Sequence, residues 1–297
     1  MNKFLLYLAA TGLMLVSASV SGQGIYTPPA EGRHPTPPPV PTYSVFCGDT
    51  IRFDTEEKYE RMDRELMNFT FMHTTSSLML KRSGKYFPLI ERVLKEKGVP
   101  DDFKYLMVIE SNLDPKALSS AGAAGLWQFT KATAREYGMM VNTEVDERYN
   151  IAKETEAACQ YILKAYSQFK DWFNVAASYN CGMGGMSRRL AEQKQESFSD
   201  LWMPEETSRY VYRILAAKML FADPAAFGFE VKEKYPFTEP LHTVTISGSI
   251  NDLVEFAQGY GLTYAELKRA NLWLRDSKLV NKEQRTYSIT IPRPGTM

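Results

Sequence analysis

Residues 101–129 read DDFKYLMVIESNLDPKALSSAGAAGLWQF, and the first ten of them decide how the chain is built. Phe103, Met107 and Glu110 are spaced by four and three, with Leu106 alongside, so a helix places all of them on one face. Asp101 opens that helix, which is expected over 102–110, and the breaker Asp114-Pro115 closes it. Glu110 is thus a carboxyl at the end of an apolar stripe, where a groove can reach it. Desolvation disfavours its charged form and predicts a pKa above the ordinary value of about 4.3. The plainer reading is a glutamate at the rim of the core whose carboxyl turns out to solvent.

Helical patterning continues on both sides. Tyr59, Met62, Leu66 and Phe69 recur at three- and four-residue spacing. A second helix, from about Tyr86 to Lys97, stops at Gly98 with Pro100 beyond it. Downstream, a helix starting near Asp171 ends in Ser178-Tyr179-Asn180-Cys181-Gly182, and Pro204-Glu205-Glu206-Thr207-Ser208-Arg209-Tyr210-Val211 opens another. The last sixty residues read differently. Leu241 to Ile246 alternates and is rich in branched residues, which predicts a strand. Ser249 or Asn251 is placed to cap a helix through Leu253, Val254 and Phe256 to Gly259. Thr263 is placed to cap a second one carrying Tyr264, Leu267 and Ala270, and Tyr287 to Pro292 reads as a closing strand.

The chain of 297 residues is long enough for two domains. Its 35 Lys+Arg against 35 Asp+Glu leave no net charge, which argues against a nucleic-acid binder, because such a protein needs a basic surface to displace counterions. Cys47, Cys159 and Cys181 show no CxxC spacing and His34, His73 and His242 are scattered, so no metal and no cofactor is expected. Met1-Asn2-Lys3, the apolar run Phe4–Val16 and the small residues that follow form the three-part pattern of a secretory signal peptide, expected over 1–22. Export to the periplasm or cell envelope follows, with at most one disulfide from three cysteines. Residues 23–42 hold seven prolines and few large apolar side chains, so an extended linker is expected there. A helical domain over 43–234 and a small βααβ domain over 235–297 complete the expected plan.

Four ordered blocks carry a resemblance. They are Glu110-Ser111 with the polar run to Ser119, Gly122 to Phe129, Ser178 to Gly182, and Glu206 to Val211. Together they resemble the catalytic domains of the soluble lytic transglycosylases, in particular the membrane-bound D branch, over a core of about 86–221. The resemblance implies a goose-type lysozyme-like, all-helical fold and peptidoglycan glycan strands as partner. It implies Glu110 as the single catalytic acid/base, with Ser111, Ser119, Gln128, Tyr179, Asn180, Glu206 and Tyr210 contacting substrate. Each has a plainer reading: Gln128 and Asn180 as helix-end hydrogen bonders, Tyr179 as core, Glu206 as a first-turn charge favoured by the helix dipole. Trp127, set between Leu126 and Gln128-Phe129, reads as packing rather than a sugar platform. Cys181 stands where the family usually has a small alanine, and a cysteine nucleophile there lacks a recognisable histidine partner.

The C-terminal β-α-α-β order, with Asn271 after the second helix and a terminal Ile291-Pro292, resembles a LysM domain. That family binds N-acetylglucosamine-containing glycans; the divergent turn Gly248 to Asp252 leaves a structural cap as the other reading. The resemblance implies cleavage of the MurNAc-GlcNAc β-1,4 bond with closure of a 1,6-anhydro ring. The alternatives are a goose-type lysozyme-like hydrolase, which would recruit Glu206 or Asp114 to activate water, and a non-catalytic peptidoglycan-binding protein.

Overall fold

Thr55 caps the first helix, its hydroxyl accepting from the Lys58 N–H at 3.3 Å, and Glu56 and Glu57 complement the positive helix end. This helix, α1 (Glu56–Phe71), buries Met62, Leu66 and Phe69 and leaves Tyr59 outside. The computed structural model describes residues 35–293; the expected signal peptide and the first part of the linker lie outside them. Residues 35–42 have no regular structure yet lie on the helical body, with Pro38 buried and Val40 packed against the core. That part of the expected linker is packed chain.

α2 runs from His73 to Lys97, thirteen residues longer at its start than the sequence suggests. The polar stretch before Tyr86 is helical because Met79 and Leu80 are fully buried and the Ser76 and Ser83 hydroxyls donate to main-chain carbonyls. Gly98, at φ 71°, then ends it in the left-handed cap that glycine adopts without strain. α3 spans Phe103–Ser111; Asp101 pairs with Lys104 instead of capping it. α4 (Lys131–Glu136), α5 (Ile151–Phe169), α6 (Trp172–Cys181), α7 (Met183–Gln193) and α8 (Glu205–Ala222) follow. α8 packs on α1, α3 and α6, while α5 packs on α2 and α6. The result is a helical body around one apolar core. Among the described residues no helix is long and apolar enough to cross a membrane.

A short hairpin unseen in the sequence, β1 (Tyr43–Phe46) and β2 (Asp49–Arg52), turns through Cys47 and Gly48, both at positive φ. Phe46 meets Phe103 edge-on at 5.1 Å, and the Cys47 N–H and Lys218 Nζ both donate to Asp102. The C-terminal segment has β3 (His242–Ile246), α9 (Leu253–Gly259), α10 (Tyr264–Ala270) and β4 (Tyr287–Ile291), with β3 and β4 antiparallel. Asp252, not Ser249 or Asn251, caps α9; Thr263 and Glu266 form a reciprocal capping box on α10. Leu253, Leu267, Ile289 and Ile291 form a second core together with Ala124, Val145 and Tyr149 of the helical body. Main-chain bonds from Asp146 N–H to Trp273 O (2.9 Å) and from Arg275 N–H to Glu144 O (2.7 Å) tie the two parts together.

Candidate active site

Helix α3 delivers Glu110 to a cleft of about 340 Å³, while Phe103, Leu106 and Met107 before it on the same stripe, with Val108, anchor the helix in the core. The chain leaves α3 abruptly through two left-handed residues, Asn112 (φ 52°) and Leu113 (φ 55°). Asparagine tolerates that conformation, whereas leucine does not; complete burial of Leu113 offsets a strain of about 1–2 kcal/mol. The sharp exit leaves the Glu110 end of the helix open to the cleft.

The opposite wall is α8. Glu206, Tyr210 and Arg213 are spaced by four and three, so they share a face, with Arg209 beside them. The Tyr210 hydroxyl donates to Glu110 Oε1. Burial pushes the Glu110 pKa up to about 7. The Tyr210 hydrogen bond works against the rise, the Glu206 charge adds to it, and the Arg213 cation opposes it. Tyr210 and Tyr179 are raised well above the phenol range, by burial first and then by the Glu110 charge. They stay neutral donors.

Asn180, at the end of α6, bridges to α8: its amide nitrogen donates to Glu206 Oε1 at 3.3 Å, and its oxygen accepts from the Thr207 hydroxyl at 2.7 Å. Glu110, Asn180, Glu206 and Tyr210 therefore meet in one cleft. The other expected contacts lie elsewhere. Ser111 is buried and its hydroxyl donates back to Met107 O, so it does not reach the cleft. Gln128 donates to Gly125 O at 2.8 Å and to Ala117 O at 3.3 Å, holding the 117–128 loop in shape. Ser119 is exposed and caps the turn by accepting from the Ala123 N–H. Tyr179 sits between Trp127, Phe129 and Tyr161 and donates to Trp127 O at 2.9 Å. Trp127 is fully buried with its indole N–H on Thr155, which is a packing role. All three cysteines are free, and burial raises the Cys181 thiol, which works against a thiolate nucleophile.

Sequence reasoning missed three groups. Glu205 lines the cleft and pairs with Arg64 of α1. Arg209 and Arg213 also line it, and both are held by the fully buried Glu65 of α1, at 2.6 and 3.2 Å. Glu65 lies three residues after Met62, on the core-facing side, but as a charged residue among Glu, Arg and Asp it reads as helix surface; only the packing of α1 on α8 gives it a role. The loop 122–129 is braced by buried Arg148, which pairs through two bonds with Asp146 and donates to Gly122 O and Phe129 O. Glu154, also buried, accepts from the Trp127 N–H at 3.0 Å.

Residues 88–201 match the transglycosylase SLT domain. Residues 242–295 match the soluble lytic transglycosylase C-terminal LysM-like domain. The chain is similar to membrane-bound lytic murein transglycosylase D of Escherichia coli strain K12, at 27% identity over 79% of this chain and 52% of that protein. It is also similar to membrane-bound lytic murein transglycosylase F of Marinobacter nauticus, at 31% identity over 50% of this chain and 30% of that one. The chain thus spans about half the length of the D relative, and less of the F relative. The 70 kDa soluble lytic transglycosylase of Escherichia coli aligns in structure with a TM-score of 0.38 and 21% identity, covering 50% of this chain and 26% of that one. The SLT match places α3 and Glu110 inside the domain. It ends before α8, so Glu206, Tyr210 and the two arginines lie just beyond it.

The charges around Glu110 set the direction of its titration. Tyr210→Phe removes a bond to the carboxylate and should move its midpoint above about 7; Glu206→Gln removes a like charge and should move it down. Carboxyl-carbon NMR titration of the SLT domain in the full chain checks both signs. Equal midpoints in the two variants would deny these contacts.

Proposed function

We propose that this chain is an exported peptidoglycan lytic transglycosylase with Glu110 as its single acid/base. The observation that carries the reading is the pairing of a half-buried carboxyl of pKa about 7 with a neutral phenol donor at the floor of an open cleft. A carboxyl of that pKa is present in both protonation states near neutral pH, as an acid that must later act as a base requires. The C-terminal LysM-like domain supports the same polymer as the partner.

Glu110 protonates the oxygen of the bond joining N-acetylmuramic acid to N-acetylglucosamine. The C1–O bond of the muramoyl sugar breaks, and its N-acetyl carbonyl oxygen stabilises the cationic carbon. The Glu110 carboxylate then takes the proton of that sugar's own 6-hydroxyl, whose oxygen bonds to C1. A 1,6-anhydro ring results, the acid is restored and no water is consumed. The intramolecular hydroxyl has a large effective concentration, so positioning does much of the work. Tyr210 holds the carboxyl in place, and Asn180 with Thr207 holds Glu206 on the cleft wall.

A hydrolase would need a second carboxylate to activate water. Asp114 is not among the residues lining the cleft and lies beside Arg82 at 3.8 Å, and Glu205, which does line it, pairs with Arg64, which leaves Glu206 for that role. Mass spectrometry of fragments from purified peptidoglycan decides. Products should end in 1,6-anhydro-N-acetylmuramic acid, about 18 Da lighter than hydrolysed fragments and inert to borohydride. Glu206→Gln should slow the reaction and leave the product unchanged. If Glu206 were a general base, its loss would cost about 10²–10⁴-fold. Reducible, water-added ends would establish the hydrolase instead.

A further inference from the structure

A second cavity, of about 690 Å³, lies away from Glu110, between α2, the segment that leads into the C-terminal domain, and that domain itself. Its size falls within the range of small-ligand pockets, about 300–1,000 Å³. Its walls are fastened. The connecting segment crosses α2 so closely that a side chain at Gly84 would stand 2.6 Å from Tyr235 O and 2.7 Å from Lys234 Cβ. The Tyr235 N–H donates to Lys81 O at 2.9 Å, and Glu239 lies 3.4 Å from Arg92.

The lining is cationic over an apolar floor. Arg82, Lys85, Arg92 and Arg269 face a single acid, Glu239. Arg82 is engaged by Asp114 and by Asn112 O, and Arg92 by Glu239. Lys85 and Arg269 are exposed and have no carboxylate partner among the described residues. Tyr86, Leu89, Phe237 and Trp273 supply the apolar surface. Lys85, whose ammonium lies 5.8 Å from the Tyr86 ring, and Arg269 supply two cations without a carboxylate among the described residues, one from α2 and one from α10, and they call for an occupant with more than one anionic group. The aromatic and leucine surface calls for short aliphatic parts between them. An uncharged sugar meets only the second need.

We propose that this cavity binds the peptide of peptidoglycan, a short chain of small aliphatic residues bearing free carboxylates, and so reads the decoration of the strand whose glycosidic bond the cleft cuts. The choice of occupant rests on the function proposed above. Pro115, which lines the cavity, lies on the chain that leaves α3, five residues after Glu110. Peptide seated here bears on the loop that leaves the acid.

The test is calorimetric titration of the full chain with free L-alanyl-γ-D-glutamyl-meso-diaminopimelyl-D-alanine, and separately with a peptide-free N-acetylglucosamine tetramer. The tetrapeptide should bind, more weakly as salt is raised. Lys85→Gln with Arg269→Gln should weaken it by tenfold or more, and Lys85→Gln alone by part of that, while the tetramer is bound as before. Both side chains are exposed, so the variants should melt with the parent. No tetrapeptide binding, equal binding by the double variant, or a loss confined to the tetramer would overturn the proposal. Cleavage of purified peptidoglycan is scored independently. Peptide binding without cleavage would defeat the transglycosylase reading and leave the cavity standing; cleavage without peptide binding would do the reverse.

Discussion

Glu110→Gln should reduce release of soluble fragments from peptidoglycan to background, a loss of at least about 10²–10⁴-fold, in a protein that keeps its fold. The amide has the shape of the acid and still accepts from the Tyr210 hydroxyl, so the cleft wall is undisturbed. What disappears is the proton. The same variant should melt no lower than the parent at pH 8. Burial raises the folded pKa to about 7 from 4.5, so between those values the folded chain holds more protons than the unfolded one. Stability therefore falls as pH rises through that window, and the penalty is complete above it. Glutamine carries no such penalty. Substantial turnover by a folded Glu110→Gln protein would remove Glu110 as the acid, and calorimetry at pH 5 and pH 8 checks the second half.

Gly125→Ala should be among the most damaging single changes outside the cleft, at about 3–5 kcal/mol, from overpacking and left-handed strain together. Gly125 has φ +84°, and an added Cβ would lie 1.8 Å from Arg148 O and 2.4 Å from Glu154 Oε2. Neither neighbour is free to retreat. Arg148 is tied to Asp146, Gly122 and Phe129, and Glu154 accepts from Trp127. Gly122→Ala is the matched control, since φ is +81° there and nothing lies within 4 Å of the new carbon. It should cost about 1–2 kcal/mol. Denaturant midpoints that agree for the two variants would deny the close approach at Gly125.

Local pattern made much of this legible. The stripe of Phe103, Leu106 and Met107 leading to Glu110 places the carboxyl at a helix end, and the expected helix start near Asp171 and the expected cap at Thr263 are both found. What stayed hidden depends on distant partners. The first half of α2 is rich in serine and threonine, and becomes helical because its apolar residues are buried and its hydroxyls find carbonyls. Glu65 and Arg148 resemble surface charges until α1 meets α8 and the 122–129 loop folds over Arg148. Gln128 and Tyr179 stand in the expected motifs but hold the loop instead of lining the cleft, a difference that only side-chain direction reveals. Ser111 is the same case: adjacent to the acid in sequence, it faces the other way round the helix.

The core shared by Ala124, Val145 and Tyr149 with Leu253, Leu267 and Ile289 has a consequence for the order of events as the chain is made. Residues 144 and 146 complete their main-chain bonding only with residues 275 and 273, well over a hundred positions later. A chain that emerges from its amino end can pair α1 with α2 early, but it closes the segment around Val145 only after β4 has arrived. Contacts of such long sequence separation form late because the intervening chain must first be gathered. Ala124 of the 122–129 loop packs into that same core, so this loop reaches its finished packing only after residues 253–291 have been made.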